Sequence, residues 1–371
     1  MSRLREKIAL WMRDEAIGPI PHLLLLILSL FYGAAVRVRL FLYSVRILWR
    51  KKLPCAVVSI GNITVGGTGK TPVVMYLADY FLSAGKKVVI LSRGYGGSAS
   101  KKEPVVVSDG VKILLGPAEA GDEPYLMAER LKGVPVVISP DRVKGGRLAV
   151  ERFSPDVILL DDGYQHIRLK RDVNILLVDS VEGFGNGFLL PRGILREPLG
   201  GLKRADAAMV KGGNLRRQDR ELLKEYDIPV LSFEYRQSSV TEVRLGAAFD
   251  VEMLKGKRVL AIAGVANPNP FFKSLEKLGA HVTGTLAYPD HHAYTAGDID
   301  DIAKAAKGAD IVLTTEKDAV KLKSLSGARL PLYALRIDVE IKNTDGLNRL
   351  FTRFVRKAAP PKPQGARPVE G

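Results

Sequence analysis

The stretch Val57–Thr71, VVSIGNITVGGTGKT, decides the fold of this 371-residue chain. Its first four residues predict a short buried strand, and the glycines that follow predict a loop. Pro72 is tolerated in the first turn of a helix, and apolar residues then recur at helical spacing as far as Gly85. A strand, a glycine-rich loop and a helix N-terminus together form a local structure that binds phosphate groups through backbone N–H groups.

The loop itself predicts a site for a nucleotide and Mg²⁺. The usual pattern is G-x-x-x-x-G-K-[ST], and here it reads TVGGTGKT, with Thr64 in place of the first glycine. We expect Lys70 to reach the outer phosphates and the Thr71 hydroxyl to ligate Mg²⁺. The alternative is a glycine-rich turn without function. The predicted nucleotide-binding residues are Thr64, Val65, Gly66, Gly67, Thr68, Gly69, Lys70 and Thr71.

Composition and charge narrow the class of protein. Hydrophobic residues make up 46% of the chain, which is enough for packed cores, and the length favours two domains. The formal net charge of +16 suggests an anionic partner, which would be nucleic acid, acidic lipid or a phosphorylated substrate. Cys55 is the only cysteine, so a disulfide within the chain is excluded, and no cysteine–histidine cluster has zinc spacing.

Residues 1–52 predict a membrane-associated helical segment. The apolar run at 20–36 is shorter than the ~20 residues of a comfortable bilayer span. It leads into VRVRLFLYSVRILWRKK, in which basic residues punctuate leucine and aromatic residues. A basic amphipathic helix of this kind favours the interface of an anionic membrane. We expect a one-sided anchor with the catalytic body in the cytoplasm; the alternative is a helix packed on the protein's own core.

The rest of the chain alternates short apolar strands with amphipathic helices. Near-continuous runs of valine, isoleucine and leucine indicate strands buried on both faces, as in a parallel sheet. The predicted fold class is α/β, with a P-loop NTPase-type, mostly parallel sheet flanked by helices at 53–235 and a second, smaller α/β domain at 257–356. Residues 236–256 predict an antiparallel connection between the two domains, and residues 357–371 a disordered tail. The strands predicted in the first domain are Val57–Ile60, Val88–Leu91, Val134–Ile138, Val157–Leu160, Ile175–Val178, Ala207–Val210 and Val230–Phe233.

Polar residues at the carboxyl ends of these strands are candidate site residues, because ligands bind there in parallel sheets. Asp161 and Asp162 follow a buried strand, where acids of a phosphate-loop protein hold Mg²⁺; the alternative is that they cap a turn. Asp122 opens a predicted helix, and an aspartate at that place is usually a cap. Arg93 and Tyr95 either project toward the phosphate loop or belong to an ordinary glycine turn.

Two later segments carry further candidates. Residues 180–203 form a long loop whose glycines, apolar residues and arginines suit a lid over a lipid-like phosphorylated substrate; the alternative is a surface excursion. His291 and His292 are adjacent, so they face different ways, and a helix-type metal pair is excluded. Asp290 is placed to orient one of these rings; the alternative is that both are loop histidines without a role.

Eight motifs occur in one order: GNITVGGTGKTP, SRGYGG, AGDEP, LLDDGYQH, LPRGILREP, the Ala263–Gly264 turn with Pro268 and Phe271, YPDHHAY and TTEKDAVKL. Together they closely resemble the tetraacyldisaccharide 4'-kinase family, the lipid A 4'-kinases of Gram-negative bacteria, over residues 10–355. The resemblance implies ATP-dependent phosphorylation of a lipid A precursor, a tetraacyldisaccharide 1-phosphate, at its 4'-hydroxyl. It also implies two domains, an N-terminal membrane helix and a place on the cytoplasmic face of the bacterial inner membrane.

The resemblance also assigns roles to single residues. Asp122 matches the family's catalytic base, and His291 matches the histidine that pairs with it. Lys70 belongs to the catalytic set, and Asp161 and Asp162 match an acidic pair in which the metal partner stays undecided. The cofactors implied are ATP and Mg²⁺. The residues expected near the substrate are Arg93, Tyr95, Gln165, His166, Arg192, Arg196 and Glu197.

Two other classes of protein share some of these features. A membrane-recruited ATPase that switches other proteins would have a similar loop and anchor, but it gives no reason for the Asp-His-His segment. A nucleic-acid-binding ATPase would explain the charge, but the basic residues lie beside apolar stretches, not among base-stacking aromatic residues. We therefore expect a glycolipid substrate at a membrane surface, no nucleic acid and no obligate protein partner.

Overall fold

The structure is a computed structural model that describes residues 7–8, 10–13, 17–67, 69–99, 102–326, 330–352 and 354. Two predictions lie outside these residues, namely nucleotide binding by Thr68 and the disordered tail at 357–371. The strands are β1 (Ala56–Gly61), β2 (Val88–Ser92), β3 (Val105–Ser108), β4 (Val136–Ile138), β5 (Val157–Asp161), β6 (Val173–Asp179), β7 (Ala207–Lys211), β8 (Val230–Glu242), β9 (Ala248–Phe249), β10 (Arg258–Ala263), β11 (His281–Ala287), β12 (Ile311–Thr315) and β13 (Leu332–Ile341).

The helices flank this sheet. They are α1 (Pro19–Ser44), α2 (Lys70–Ser83), α3 (Pro117–Ala120), α4 (Asp122–Arg130), α5 (Arg142–Phe153), α6 (Arg217–Glu225), α7 (Asn269–Lys277), α8 (Ala296–Ala305), α9 (Glu316–Ser326) and α10 (Thr344–Phe351), with short 3₁₀ turns at Leu199–Arg204 and Val251–Leu254.

All thirteen strands of the described residues belong to one sheet, in the order β11-β10-β12-β13-β8-β7-β6-β1-β5-β2-β4-β3, with β9 paired to β8. Neighbours from β8 to β4 run parallel, and β3 closes that edge antiparallel to β4. The strands β13, β12, β10 and β11 form a second parallel group. The predicted fold class, a mostly parallel sheet flanked by helices, is confirmed.

Strand β8 joins the two parallel groups. Its first residues pair in parallel with β7, and from Phe233 to Glu242 it pairs antiparallel with β13. The predicted domain boundary at residue 235 therefore lies within a continuous strand. The last helix, α10, returns to the core under β1: the Phe351 ring lies 4.8 Å from that of Phe81 and 5.7 Å from that of Tyr80. The domain boundaries stay a prediction.

Helix α1 lies with one face against the protein. The Ser29 hydroxyl donates a hydrogen bond of 2.8 Å to the Leu189 carbonyl, and the Tyr32 hydroxyl donates one of 2.7 Å to the Arg196 carbonyl. The opposite face is apolar and exposed: the exposed fraction is 81% for Ile20 and 73% for Phe31.

The apolar run at 20–36 is shorter than a comfortable bilayer span, but it continues into a longer helix. In the structure α1 is one helix of 26 residues. By length and composition it is able to cross a membrane.

Candidate active site

The phosphate loop lies between β1 and α2. Gly66 and Gly69 have φ angles of 117° and 78°, a region that favours glycine. A Cβ on Gly69 would lie 1.3 Å from the Tyr235 hydroxyl oxygen, so this position has no space for a side chain. Gly69 is also the N-cap of α2, and no side chain among the described residues caps that helix. The loop therefore leaves backbone N–H groups at the helix start available to an anion.

The backbone around Thr64 explains why threonine is tolerated where the usual loop pattern has glycine. It forms an antiparallel bridge with Leu195, and the Val65 N–H donates to the Ile194 carbonyl at 2.8 Å. The first part of the loop is thus a short extended segment paired with the long loop at 180–203. An extended residue does not need a positive φ, so threonine is tolerated where other such loops have glycine.

Lys70 rests on polar groups beside the loop. Its Nζ lies 3.4 Å from Asn62 Oδ1 and 3.5 Å from Asp162 Oδ1, and the neighbouring Thr71 is buried. The ammonium group is therefore held next to the place where the outer phosphates of a nucleotide bind in loops of this kind. Asn62 was not predicted as a site residue, although it lies in the quoted motif.

The two strand-end aspartates differ in their surroundings. Asp161 is buried at the end of β5; its Oδ2 accepts a hydrogen bond of 2.7 Å from Ser92, and its Oδ1 has no hydrogen-bond partner among the described residues. Burial, followed by the charge of Glu123, raises the pKa of Asp161 to about 6, although Ser92 acts against this rise. A buried carboxylate oxygen without a donor fits a cation ligand.

Asp162 is already neutralised by cations. Both of its oxygens lie within hydrogen-bond distance of Arg196 Nη1, at 3.0 and 3.1 Å. Burial raises the pKa of Asp162, but Lys70 and Arg196 outweigh burial and hold it below its ordinary value. The contacts of both aspartates are therefore with side chains, which does not favour the turn-capping alternative. Of the pair, Asp161 is the better candidate ligand for Mg²⁺, together with the Thr71 hydroxyl.

Asp122 and His291 come together from distant parts of the chain. His291 Nδ1 lies 3.2 Å from Asp122 Oδ2, and Lys321 Nζ lies 3.3 Å from the same oxygen. Burial raises the pKa of Asp122, but the hydrogen bond from His291 and the charge of Lys321 outweigh it and lower the pKa overall. Asp122 is the first residue of α4, its N-cap is Gly121, and the helix has no side-chain cap. The expectation that Asp122 is a helix cap is therefore wrong, because its carboxylate faces His291.

The two histidines face different ways, as predicted. His292 Nε2 lies 3.2 Å from Asp298, away from the first pair. The Tyr95 ring lies 5.1 Å from the His291 ring at an interplanar angle of 60°, so the turn after β2 is part of this cluster. A Cβ on Gly121 would lie 2.5 Å from the Tyr95 carbonyl, which shows that this turn also packs tightly on the start of α4.

The remaining predicted substrate residues divide into two groups. Gln165 donates to the Asn62 carbonyl at 2.7 Å and to Glu197 at 3.0 Å, so both residues lie beside the phosphate loop. Burial, followed by the charge of Arg142, lowers the pKa of His166 to about 4, which keeps this ring neutral. Arg93 is exposed at the end of β2.

Arg192 lies elsewhere. It is buried, its guanidinium stacks 4.9 Å from the centre of the Phe188 ring, and it contacts the Trp11 carbonyl at 3.4 Å. The structure therefore does not bring Arg192 to the phosphate loop, although Arg192 and Arg196 both lie in the loop at 180–203.

The residues around Lys70 and the residues around Asp122 are neighbours in the structure. Glu123 follows Asp122 in the chain, and its charge adds to burial in raising the pKa of Asp161.

Sequence reasoning missed two lysines of this site. Lys317 and Lys321 lie in the TTEKDAVKL motif, which was quoted for the resemblance but given no role. Lys317 Nζ lies 3.3 Å from His291 Nε2, and Lys321 contacts Asp122. Their spacing of four residues was the available signal, because residues four apart share one face if the segment is a helix, as it is in the structure.

A parallel sheet with a glycine-rich loop, a lysine at a helix start and an acidic strand end defines the class of P-loop nucleotide-binding proteins. The family model described as tetraacyldisaccharide-1-P 4'-kinase matches residues 21–356. The chain belongs to this kinase family, and the resemblance drawn from the eight motifs is confirmed.

Individual relatives agree with this assignment. The chain is similar to a tetraacyldisaccharide 4'-kinase of Syntrophus aciditrophicus, with 42% identity over 90% of this chain and 93% of the relative. It is also similar to a tetraacyldisaccharide 4'-kinase of Desulfatibacillum aliphaticivorans, with 44% identity over 92% of this chain and 95% of the relative. A crystal structure described as "apo" form LpxK from Aquifex aeolicus in complex with ATP superposes with a TM-score of 0.73 and 37% identity, covering 89% of this chain and 98% of that one.

Proposed function

We propose that the protein transfers the γ-phosphoryl group of ATP to the 4'-hydroxyl of a tetraacyldisaccharide 1-phosphate, a precursor of lipid A. The single observation that carries this proposal is the Asp122–His291 contact beside the phosphate loop. A carboxylate that is ionised at neutral pH and lies next to a loop that binds phosphate groups is able to accept a proton from a hydroxyl group. The match to the tetraacyldisaccharide-1-P 4'-kinase family model supports the kinase over the regulatory switch.

The phosphate side of the reaction would rest on positioning and charge neutralisation. Lys70 would turn from Asp162 and Asn62 to the β- and γ-phosphates, and the N–H groups of the loop would bind the same oxygens. Asp161 Oδ1 and the Thr71 hydroxyl would hold Mg²⁺, which, when bound, supplies charge neutralisation at the phosphates. Arg196, which contacts the same Asp162 oxygen as Lys70, would add a second positive charge beside the phosphates.

The acceptor side would be built from two lobes. Asp122 comes from the first lobe and His291 from the second, and Arg130 of α4 contacts Glu316 of α9 at 3.2 Å and also pairs with Asp338. We infer that residues 53–235 and 257–356 act as two lobes joined through 236–256, and that the disaccharide lies between them. Tyr95, Arg93 and Gln165 would contact the sugar or its 1-phosphate.

The membrane side would be formed by residues 1–52. The exposed apolar face of α1 supports an anchor in the cytoplasmic face of the inner membrane, and the basic residues that follow favour anionic lipid. The acceptor lipid would then keep its acyl chains in the bilayer while its sugar reaches Asp122. Extraction tests this anchor: release from membranes by alkaline carbonate as complete as release by detergent would contradict it.

The decisive experiment is a transfer assay with purified protein, radiolabelled ATP, Mg²⁺ and a disaccharide 1-phosphate lipid. We expect a doubly phosphorylated lipid, and ATP consumption that requires the glycolipid. His291→Gln should lower the rate of transfer, whereas His292→Gln, a change of the adjacent ring that pairs with Asp298, should leave it near the wild-type value. ATP turnover that responds to a protein partner or to DNA, and not to the glycolipid, would refute the proposal.

A further inference from the structure

The edge of β13 is bound by side chains at the place where β12 ends. Strand β12 pairs with β13 as far as Thr315, which lies opposite Leu335, and the chain then turns into α9 at Glu316. Two residues further along β13, the Ile337 N–H donates to Glu316 Oε2 at 3.2 Å, and the Ile337 carbonyl accepts from Arg130 Nη1 at 3.0 Å. Side chains from both lobes thus satisfy backbone groups that no strand reaches among the described residues.

The β8–β13 pair is irregular at the same residue. Its register shifts between Arg336 and Ile337, so Ser238 is an extra residue of β8. A bulge of this kind interrupts the hydrogen-bond ladder and increases the local twist of the strands. Strand pairing therefore contributes least to the connection between the lobes at the point where the two side chains bind the Ile337 backbone.

Arg130 holds more of the second lobe than this carbonyl. Its Nη1 also lies 3.2 Å from Glu316 Oε2, and its Nη2 pairs with Asp338 Oδ1. The side chains of Arg130 and Glu316 are only 11% and 14% exposed, so water and salt screen their charges little. The planar guanidinium group directs several donors in fixed directions and is therefore able to bind a carbonyl and two carboxylates at once.

The neighbouring acidic groups come from both lobes. Burial raises the pKa of Asp79 on α2 to about 6, the charges of Arg130 and Arg336 act against this rise, and the charge of Asp338 adds to it. Asp79 of the first lobe and Asp338 of the second lobe therefore repel each other when both are ionised. Without Arg130, this repulsion would push the lobes apart where the β8–β13 ladder is interrupted.

A second ion pair between the same two helices lacks these features. Lys323 of α9 lies 2.8 Å from Glu129 of α4, but the two side chains are 45% and 33% exposed. Among the described residues, Lys323 makes no contact with the backbone of β13. Exposed pairs of this kind contribute little to the free energy that holds two elements together. The interlobe contact that is built into the sheet is the one made by Arg130.

We propose that Arg130 is a positioning residue that fixes the second lobe over the cleft by binding the Ile337 backbone and Glu316. Arg130 is the last residue of α4, and the first turn of the same helix lies in the cleft. A displaced Ile337 would carry β13 and the start of α9 with it and would move the residues that the second lobe contributes to the site. The effect on the lobes rests on the structure, and the effect on turnover rests on the proposed function.

The first test measures the distance between the lobes by pulsed double electron–electron resonance on the full-length protein in detergent. The spin labels are attached at Glu151→Cys, on α5 of the first lobe, and at Lys307→Cys, after α8 of the second lobe. Both positions are exposed, and Cys55→Ala removes the natural thiol.

The expected result is one narrow distance distribution in this labelled background. Arg130→Met should make the distribution at least about twofold broader, because the Ile337 carbonyl loses its donor where the ladder is interrupted. Glu316→Ala, which frees the Ile337 N–H, should broaden it as well. Lys323→Met is the matched control and should leave the distribution unchanged.

The second test separates kcat from KM in glycolipid phosphorylation. Arg130→Met should lower kcat about 10–100-fold, because a small displacement of reacting groups is costly. Arg130 makes no contact with the phosphate loop among the described residues, so KM for ATP should stay within about twofold. Arg130→Lys keeps the charge without the planar fork and should give an intermediate kcat. A merely structural role would lower the midpoint of a urea titration without separating kcat from KM.

The outcomes separate this proposal from the proposed function. A broad distribution in the labelled background overturns the proposal, as does a narrow one in a folded Arg130→Met or equal broadening in Lys323→Met. A broadened distribution with unchanged kcat overturns the role in turnover. If Arg130→Met does not fold, Glu316→Ala decides by the same measurements. A wild-type protein that does not phosphorylate the glycolipid refutes the proposed function, while the distances still test the role of Arg130.

Discussion

Asp122→Asn is the substitution that most directly tests the proposed chemistry. It replaces one carboxylate oxygen with an NH₂ group of almost the same size and removes the negative charge. The Asp122 side chain is 13% exposed and lies 3.2 Å from His291 Nδ1 and 3.3 Å from Lys321 Nζ. These contacts lower its pKa despite burial, so the wild-type group is a carboxylate at neutral pH.

The expected loss is large because an amide does not accept the hydroxyl proton. A general base contributes about 10²–10⁴-fold, which corresponds to about 3–6 kcal/mol in the activation free energy at about 1.4 kcal/mol per tenfold. We expect kcat for glycolipid phosphorylation to fall by this factor. Asp122 makes no contact with Lys70 or Thr71 among the described residues, so KM for ATP should stay near the wild-type value.

The assay follows labelled phosphate into lipid at saturating ATP and lipid, and isothermal titration with a non-hydrolysable ATP analogue measures nucleotide binding. Asp298→Asn is the matched control, because Asp298 also lies 3.2 Å from a histidine, His292, but outside the site. An Asp122→Asn protein with unchanged kcat would refute the role of general base. A parallel loss of analogue binding would show instead that the substitution disturbs the phosphate loop.

Three further substitutions test the loop, the electrostatics and the packing. Gly69→Ala should abolish binding of the ATP analogue because a Cβ would collide with the Tyr235 hydroxyl, whereas Gly85→Ala, at a similar φ of 73° in open space, should cost only about 1 kcal/mol in a urea titration. Burial raises the pKa of Asp79 to about 6 from 3.8, so the native protein loses stability as pH rises through this interval. Asp79→Asn removes this loss, and its free energy of unfolding relative to wild type should therefore increase over the same interval; a constant difference would contradict the raised pKa. Phe351→Ala should lower the free energy of unfolding by about 3–5 kcal/mol, measured with urea, since its ring is fully buried, and a value below about 1 kcal/mol would argue against the docking of α10.

The elements that depend on local sequence, namely the strands and the phosphate loop, could be predicted from the sequence. All seven strands predicted in the first domain are present. Short runs of valine, isoleucine and leucine that alternate with amphipathic helices are typical of the buried strands of a parallel sheet. The phosphate loop was equally clear, since only glycine tolerates the backbone at Gly66 and Gly69. The edge strand β3 was missed because Val105–Ser108 is short and lies outside the parallel pattern.

Contacts between distant segments were not available from the sequence. The pairing of Asp122 with His291 joins residues 169 positions apart, and a local interpretation of Asp122 as a helix cap was therefore the better one on sequence alone. Motif resemblance corrected this assignment, but it did not reveal what Lys317 contacts. Arg192 shows the same limit, because its place in the LPRGILREP motif suggested a substrate contact, whereas the structure buries it against Phe188.

The continuity of β8 has a mechanical consequence. Among the described residues, the segment of this strand between Phe233 and Val240 is paired along one side only, with β13, because β7 ends at its start and β9 begins at its end. If the two predicted lobes bend relative to each other at β8, the bend would fall in this singly paired segment and would need no flexible loop. Tyr235 lies within the segment and its hydroxyl packs against Gly69, so such a bend would reach the backbone of the phosphate loop.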